Sequence, residues 1–315
     1  MAQSSPPTST PNSLLENTPF VISMLLLFDS MHLILARWLS NTLHPLASAF
    51  WVLFIATVQF AIYLVAVGRL EFQIFRQHVW FFAIVGFLVA VATSMNYTAV
   101  TYVDAGTAGL LGRSSTIFSI AFGVLWLKDR LTMWQWVGAA VAILGVIGIS
   151  FQPIDSLQIG ALFVLGSSFT YSLHAAVVKR YGSEMDFVNF MLFRVGATAF
   201  FIFSFILLAP VAGENVRFWP TSFEWFALIV TATVDVVLSR IFYYWSLRKV
   251  EMSYHSIILM LAPVVTIFWS LLFFRETPSW QSVIGGAVVI AGLVIVNWEN
   301  VRRRLSAVDR TTAST

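Results

Sequence analysis

Cysteine is absent from all 315 residues, so disulfides and thiolate metal sites are excluded and the redox compartment cannot be read. Charge is nearly as scarce. Asp, Glu, Lys and Arg make up 10% of the chain, against about 25% in soluble globular domains. No stretch is long and polar enough for a separate soluble domain, and no GxxxxGK[ST] phosphate loop occurs, which excludes built-in ATP hydrolysis. The segment before Phe20 contains neither Lys nor Arg and is rich in Ser, Thr and Pro. Lacking a basic n-region and a small-residue cleavage site, it reads as a disordered tail over residues 1–17 rather than a signal peptide. Residues 299–315 read as a second tail, on the cytoplasmic side.

What the chain has is apolar length. It is 58% hydrophobic, with a mean hydropathy of +0.83. A helix needs about 20 apolar residues to cross a bilayer, and roughly ten such stretches are present. They lie near 18–37, 44–67, 78–99, 105–127, 132–151, 158–178, 187–209, 223–247, 253–274 and 279–298. Continuous runs such as Trp136–Phe151 do not alternate apolar with polar, so a transmembrane barrel is disfavoured. The expected fold is an all-α polytopic membrane protein.

The second half repeats the first. Tyr97–Gly148 lies on Tyr244–Ile295 without a gap, at a constant offset of 147 residues. Tyr97/Tyr244, Gly138/Gly285 and Gly145/Gly292 are identical pairs, and Lys128-Asp129 becomes Arg275-Glu276. A second register places Ser30-Met31-His32 on Ser172-Leu173-His174 and Arg37 on Lys179. Five helices per half is an odd number, so the second half must enter the membrane from the opposite side. The expectation is two inverted five-helix repeats, 18–151 and 158–298, around a central cavity.

A pI near 9.3 does not point to nucleic acid. With ten helices both termini share one side, and placing them in the cytoplasm sorts the 18 basic residues: 12 fall on that side, three on the other (Arg37, Arg217, Arg275), and three lie within spans (Arg113, Arg194, Arg240). That asymmetry matches the positive-inside rule. The expected location is the cytoplasmic (inner) membrane, with both termini cytoplasmic. Trp80, Trp126, Trp134, Trp219, Trp280 and Trp298 fall near helix ends, where amphipathic rings settle at the headgroups.

The duplicated pattern of a basic–acidic pair followed by two glycines reads Lys128-Asp129…Gly138…Gly145 and again Pro263…Arg275-Glu276…Gly285…Gly292. In it the chain resembles the drug/metabolite transporter superfamily, specifically its EamA-type members with ten helices. Thr116 stands where the second repeat has Pro263, so the helix-breaking proline is in one half only. The resemblance implies a cavity lined mainly by helices 1, 3, 4, 6, 8 and 9. It also implies a secondary transporter that exports an amino-acid-like or carboxylated metabolite by alternating access, not an enzyme. A carrier of nucleotide sugars or phosphorylated metabolites is the alternative, and it requires Arg194 to face inward. An intramembrane enzyme or a nontransporting scaffold is a weaker alternative.

Ionisable side chains inside a membrane are costly, about 2.5–3.5 kcal/mol each at the centre of a span, and default to functional sites. Arg113 and Arg240 are the candidate anchors for an anionic solute, since a guanidinium presents a planar fork of donors to carboxylates. Their competing reading is an internal ion pair with Asp29 or Asp235. Those two carboxylates are in turn the candidates for proton coupling. His32 and His174 occupy equivalent repeat positions and are expected to face each other across the pseudo-axis. Tyr97, Tyr171 and Tyr244 complete the candidate substrate-binding set. No nucleophile–base pair and no four-ligand metal spacing stands out, so no catalytic residue, cofactor or metal is expected. The glycine faces of helices 5 and 10 are expected to pack within each repeat, with a homodimer contact as their other use. The expected partners are a small-molecule solute and the lipid bilayer.

Overall fold

A computed structural model describes residues 18–126, 128, 132–150, 155–181, 185–213, 216–249 and 259–312. Among these residues every regular element is a helix. Eight helices are long and apolar enough to cross a membrane: α1 (Phe20–Ser40), α2 (Pro45–Ala66), α3 (Val79–Ala99), α4 (Ala105–Leu125), α5 (Met133–Ser150), α6 (Gln158–Tyr181), α7 (Phe187–Val211) and α8 (Ser222–Tyr243). Two shorter apolar helices follow, α9 (Ala262–Phe274) and α10 (Trp280–Val296, continuing in helix to Thr312). The protein is a multi-pass membrane protein whose helices sit where the apolar runs place them. The start of the expected ninth span, residues 253–258, lies outside the described residues.

Packing follows the duplication. α1 packs on α8 and α9, as its counterpart α6 packs on α3 and α4. Three helices pack on their own duplicates: α2 on α7, α4 on α9, and α5 on α10. Such self-pairing is what a pseudo-two-fold between the halves requires. At the α5–α10 crossing Gly138 meets Gly292 and Gly145 meets Gly285. Residue numbers rise along one helix as they fall along the other, so the two run antiparallel, as inverted copies must. The glycines therefore join the two halves, contrary to the expected packing within each repeat. Only glycine lets the backbones approach this closely.

The connections carry the duplication too. Asp104 caps α4, its carboxylate accepting from the Thr107 amide at 2.8 Å. Among the described residues, the only non-glycine positions with positive φ are Lys128 (60°) and Arg275 (56°), which are repeat equivalents. Arg275 ends α9 in the left-handed conformation, its amide donating to the Leu271 carbonyl at 3.1 Å. A non-glycine residue there costs about 1–2 kcal/mol. Arg275→Gly is accordingly expected to leave the melting temperature unchanged or raised, and Arg275→Val to lower it. Equal melting temperatures for the two variants would contradict the strained cap.

Candidate functional site

Three helices that line one cavity depart from regular α geometry. α1 breaks at Met31, between Asp29 and His32, and α4 breaks at Arg113. α8 is π-helical over Ala232–Leu238, and Asp235 lies in that segment. The break at Arg113 recurs at its repeat equivalent, where a turn at Met260 and Leu261 precedes α9. Both copies thus break although only one has the proline, so Pro263 is not the cause of the shared geometry. Irregular backbone at membrane depth is tolerated where it lines a cavity and finds other partners.

Those partners are hydroxyls from neighbouring helices. Thr266 Oγ1 donates to the Ser30 carbonyl at 3.0 Å, beside the α1 break. Ser168 Oγ donates to the Gly112 carbonyl at 3.4 Å and Ser172 Oγ to the Ser115 carbonyl at 2.7 Å, flanking the α4 break. Trp269 Nε1 donates to Ser30 Oγ at 3.2 Å.

Around these breaks lies a polar cavity in two compartments of about 160 and 240 Å³. Asp29, His32, Asn96, Tyr171 and Arg240 line both. Arg113, Ser115, Ser167, Ser168, Pro263 and Thr266 belong to the first. Tyr97, Thr93, Arg194 and Asp235 belong to the second, together with the apolar wall of Val52, Leu53, Val89, Ala92 and Val236. The i, i+3 spacing of Asp29 and His32 does deliver both side chains to the cavity. Asp235 and Arg240 stand five positions apart, and the wider π turn brings both to the same space.

His32 Nδ1 lies 2.9 and 2.8 Å from the two carboxylate oxygens of Asp235, tying α1 to α8 across the bundle. Its ring also meets Tyr97 edge-on, with centroids 6.4 Å apart. The expected histidine pair is not formed. His174 packs on Tyr171 with ring centroids 5.2 Å apart, lines neither compartment, and has both ring nitrogens buried without a hydrogen-bond partner among the described residues. The two positions are equivalent in sequence, but only α1 is broken there, and the break turns His32 toward α8.

Arg194 was the residue whose direction decided between cargo classes, and it lines the second compartment. α7 therefore joins the six expected helices around the cavity, and its Arg194 Nε is buried without a partner among the described residues. Neither Arg113 nor Arg240 forms an ion pair within 4.0 Å with a described carboxylate, so the expected competing pairing with Asp29 or Asp235 is not seen. The Tyr244 side chain lies outside the described residues, as does that of Trp245. Asn96 and the α6 serines Ser167 and Ser168 were not among the expected site residues, whereas Ser115 beside Arg113 was read as supplying a hydroxyl. A mid-span asparagine was itself the signal, because an amide facing lipid would be costly.

Among the described residues no three His, Asp or Glu side chains gather as metal ligands. The cavity instead presents three guanidiniums, from Arg113, Arg194 and Arg240, against two carboxylates, of which Asp235 is engaged by His32. Counting the imidazole as neutral, the described lining carries a surplus of one positive charge. An anionic group entering this space would meet donors with little competition.

The EamA-like transporter family matches residues 20–151 and again 158–298. Uncharacterized transporter YdfC of Bacillus subtilis is 27% identical over 202 residues, 61% of this chain and 62% of that protein. The match thus spans under two thirds of that relative's length. Uncharacterized transporter YoaV of the same organism is 21% identical over 246 residues, covering 76% of this chain and 82% of its own. A protein of Streptantibioticus cattleyicolor named probable terminal-alkyne amino-acid exporter is 24% identical over 210 residues, covering 65% of this chain and 68% of its own. A crystal structure at 18% identity covers 89% of this chain and 96% of its own with a TM-score of 0.60, a likeness that establishes the fold.

Proposed function

The chain belongs to the EamA-like transporter family, and from that premise we propose that it exports a small carboxylated or amino-acid-like solute across the cytoplasmic membrane by alternating access. The observation that carries the reading is the surplus of arginine over free carboxylate in the cavity. Burying a charge without compensation is expensive, so a net positive, partly desolvated site selects cargo that supplies negative charge. Arg113 and Arg240 would take the carboxylate in bidentate fashion. Asp29, which lines both compartments, would face an ammonium group if the cargo carries one. The similarity to a protein named as an amino-acid exporter supports both the cargo class and the direction. The asymmetric distribution of basic residues supports cytoplasmic termini.

The two halves would rock about the α5–α10 and α4–α9 contacts, exposing the cavity to one side and then the other. Asp29 and the His32–Asp235 pair are the groups placed to carry a coupled proton. The inward direction of Arg194 favours a second reading, a phosphorylated metabolite, because three guanidiniums converge on one space.

A thermal-shift screen of the purified protein against carboxylated, zwitterionic and phosphorylated metabolites separates the two. A ligand that binds only the folded state raises the melting temperature by mass action, by an amount equivalent to about 2.7 kcal/mol at 100 times its Kd. Carboxylated hits confirmed by counterflow in proteoliposomes, and lost in Arg113→Ala, are the expected result. Undiminished carboxylate transport by Arg113→Ala would argue against the assignment.

A further inference from the structure

We propose that Arg37 and Glu276 form a latch over one end of the cavity, and that this end opens only when the pair parts. The inference rests on the alternating-access reading. Arg37 stands five residues beyond His32 on the outer half of α1, so one short helical segment carries both a cavity residue and the ion pair. Its Nη2 donates to Glu276 Oε1 at 2.8 Å. Its other terminal nitrogen donates to the Val100 carbonyl at the end of α3. Glu276 lies in the connection between α9 and α10. One guanidinium therefore ties α1 and α3 of the first half to the second half.

The segment that runs on from Val100 is closely packed. Val100, Val103, Ala105 and Thr107 are buried. At Gly106 a Cβ would come within 2.9 Å of both Ile267 and Pro278, so α4 lies hard against α9 and the connection that bears Glu276. Parting the halves at this end must withdraw Glu276 from Arg37, because the two belong to opposite halves.

The bonding of the pair suits separation. Among the described residues, Arg37 Nε and Glu276 Oε2 are both buried without a partner. Closure thus gains an ion pair and a carbonyl bond but leaves a donor and an acceptor stranded, and water satisfies both once the end opens. A permanent staple would have its remaining atoms bonded. The break in α1 at Met31 lies between Asp29 and the latch, so cargo contacting Asp29 and His32 acts on both sides of a hinge.

Because the chain has no cysteine, a single reporter thiol has no background. In the full-length protein reconstituted in liposomes, Ser115→Cys places a near-isosteric thiol on the cavity wall. A membrane-impermeant maleimide is then added from the side on which Arg37 lies. Arg37→Gln and Glu276→Gln are each expected to raise the labelling rate roughly fivefold or more, by shifting the population toward an end that is open. The charge swap Arg37→Glu with Glu276→Arg is expected to restore much of the protection. Should Arg37→Gln fail to fold, Glu276→Gln, which leaves the bond to Val100 in place, carries the test alone. Unchanged labelling in folded Glu276→Gln protein, or a swap as exposed as the single variants, overturns the latch. Labelling that rises in the variants while the parent moves no solute would keep the latch and remove the transport reading instead. Solute flux with unchanged labelling would do the reverse.

Discussion

Replacing Arg240 with alanine is expected to weaken binding of carboxylated solutes by about 2–4 kcal/mol, roughly 30- to 1,000-fold, the range for removing one charged partner from a desolvated contact. Arg240 is singled out because it lines both compartments of the cavity, whereas Arg113 and Arg194 each line one. It stands on α8 just beyond the π-helical segment that carries Asp235, so its guanidinium and the His32–Asp235 pair share one wall. Arg240→Lys keeps the charge but loses the planar fork, and its loss of affinity is expected to fall between those of the parent and the alanine variant. The lysine variant also guards against misreading a folding defect, since it leaves Asp29 and Asp235 with a cation nearby. The measurement is ligand-induced thermal shift alongside counterflow for matched carboxylated, neutral and zwitterionic solutes. Affinity for carboxylates within threefold of the parent in Arg240→Ala would sink the proposed role.

Gly292→Ala and Gly145→Ala are expected to destabilise the protein far more than their size suggests. A Cβ on Gly292 would stand 2.5 Å from the Gly138 carbonyl oxygen and the Ala142 amide. On Gly145 it would stand 2.6 Å from the Gly285 carbonyl oxygen and the Val289 amide. The obstructing atoms are backbone on both sides, so neither side chain rotation nor a local rotamer change relieves the clash. α5 and α10 must separate, at a cost of about 1–3 kcal/mol or more for each methyl group added to a packed interface. Gly148→Ala is the control. It lies on the same helix as Gly145 with nothing among the described residues within 4 Å of its added Cβ, and helix propensity favours alanine over glycine by about 1 kcal/mol. Melting temperatures should fall for the first two variants and hold or rise for the third. Three equal shifts would show that the crossing does not join the halves as described.

Much of the architecture was legible because it follows from local physics. Backbone polar groups in lipid must bond within their own segment, so a run of apolar residues becomes a helix wherever it stands. The cost of intramembrane charge likewise singled out Asp29, His32, Arg113, Asp235 and Arg240, all of which line the cavity, and also His174, which does not. Where the expectation missed, the missing information was rotational or long-range. The direction of Arg194 was left open, because α7 was not among the helices the family resemblance placed at the cavity, and only the fold shows its side chain reaching that space. His32 and His174 read as a symmetric pair, but symmetry in residue type does not survive a break present in α1 and absent from α6.

The sequence by itself determined the helices, the duplication and the identity of the buried charges. These depend on composition along the chain and on the bilayer's refusal of unpaired polar groups. Tertiary structure alone decided which charges meet. It joined His32 to Asp235, 203 residues apart, and Arg37 to Glu276, 239 residues apart. It also placed each glycine face against its own copy. Such pairings depend on helix rotation and on where each helix breaks, and both are set by packing against neighbours that no single segment encodes.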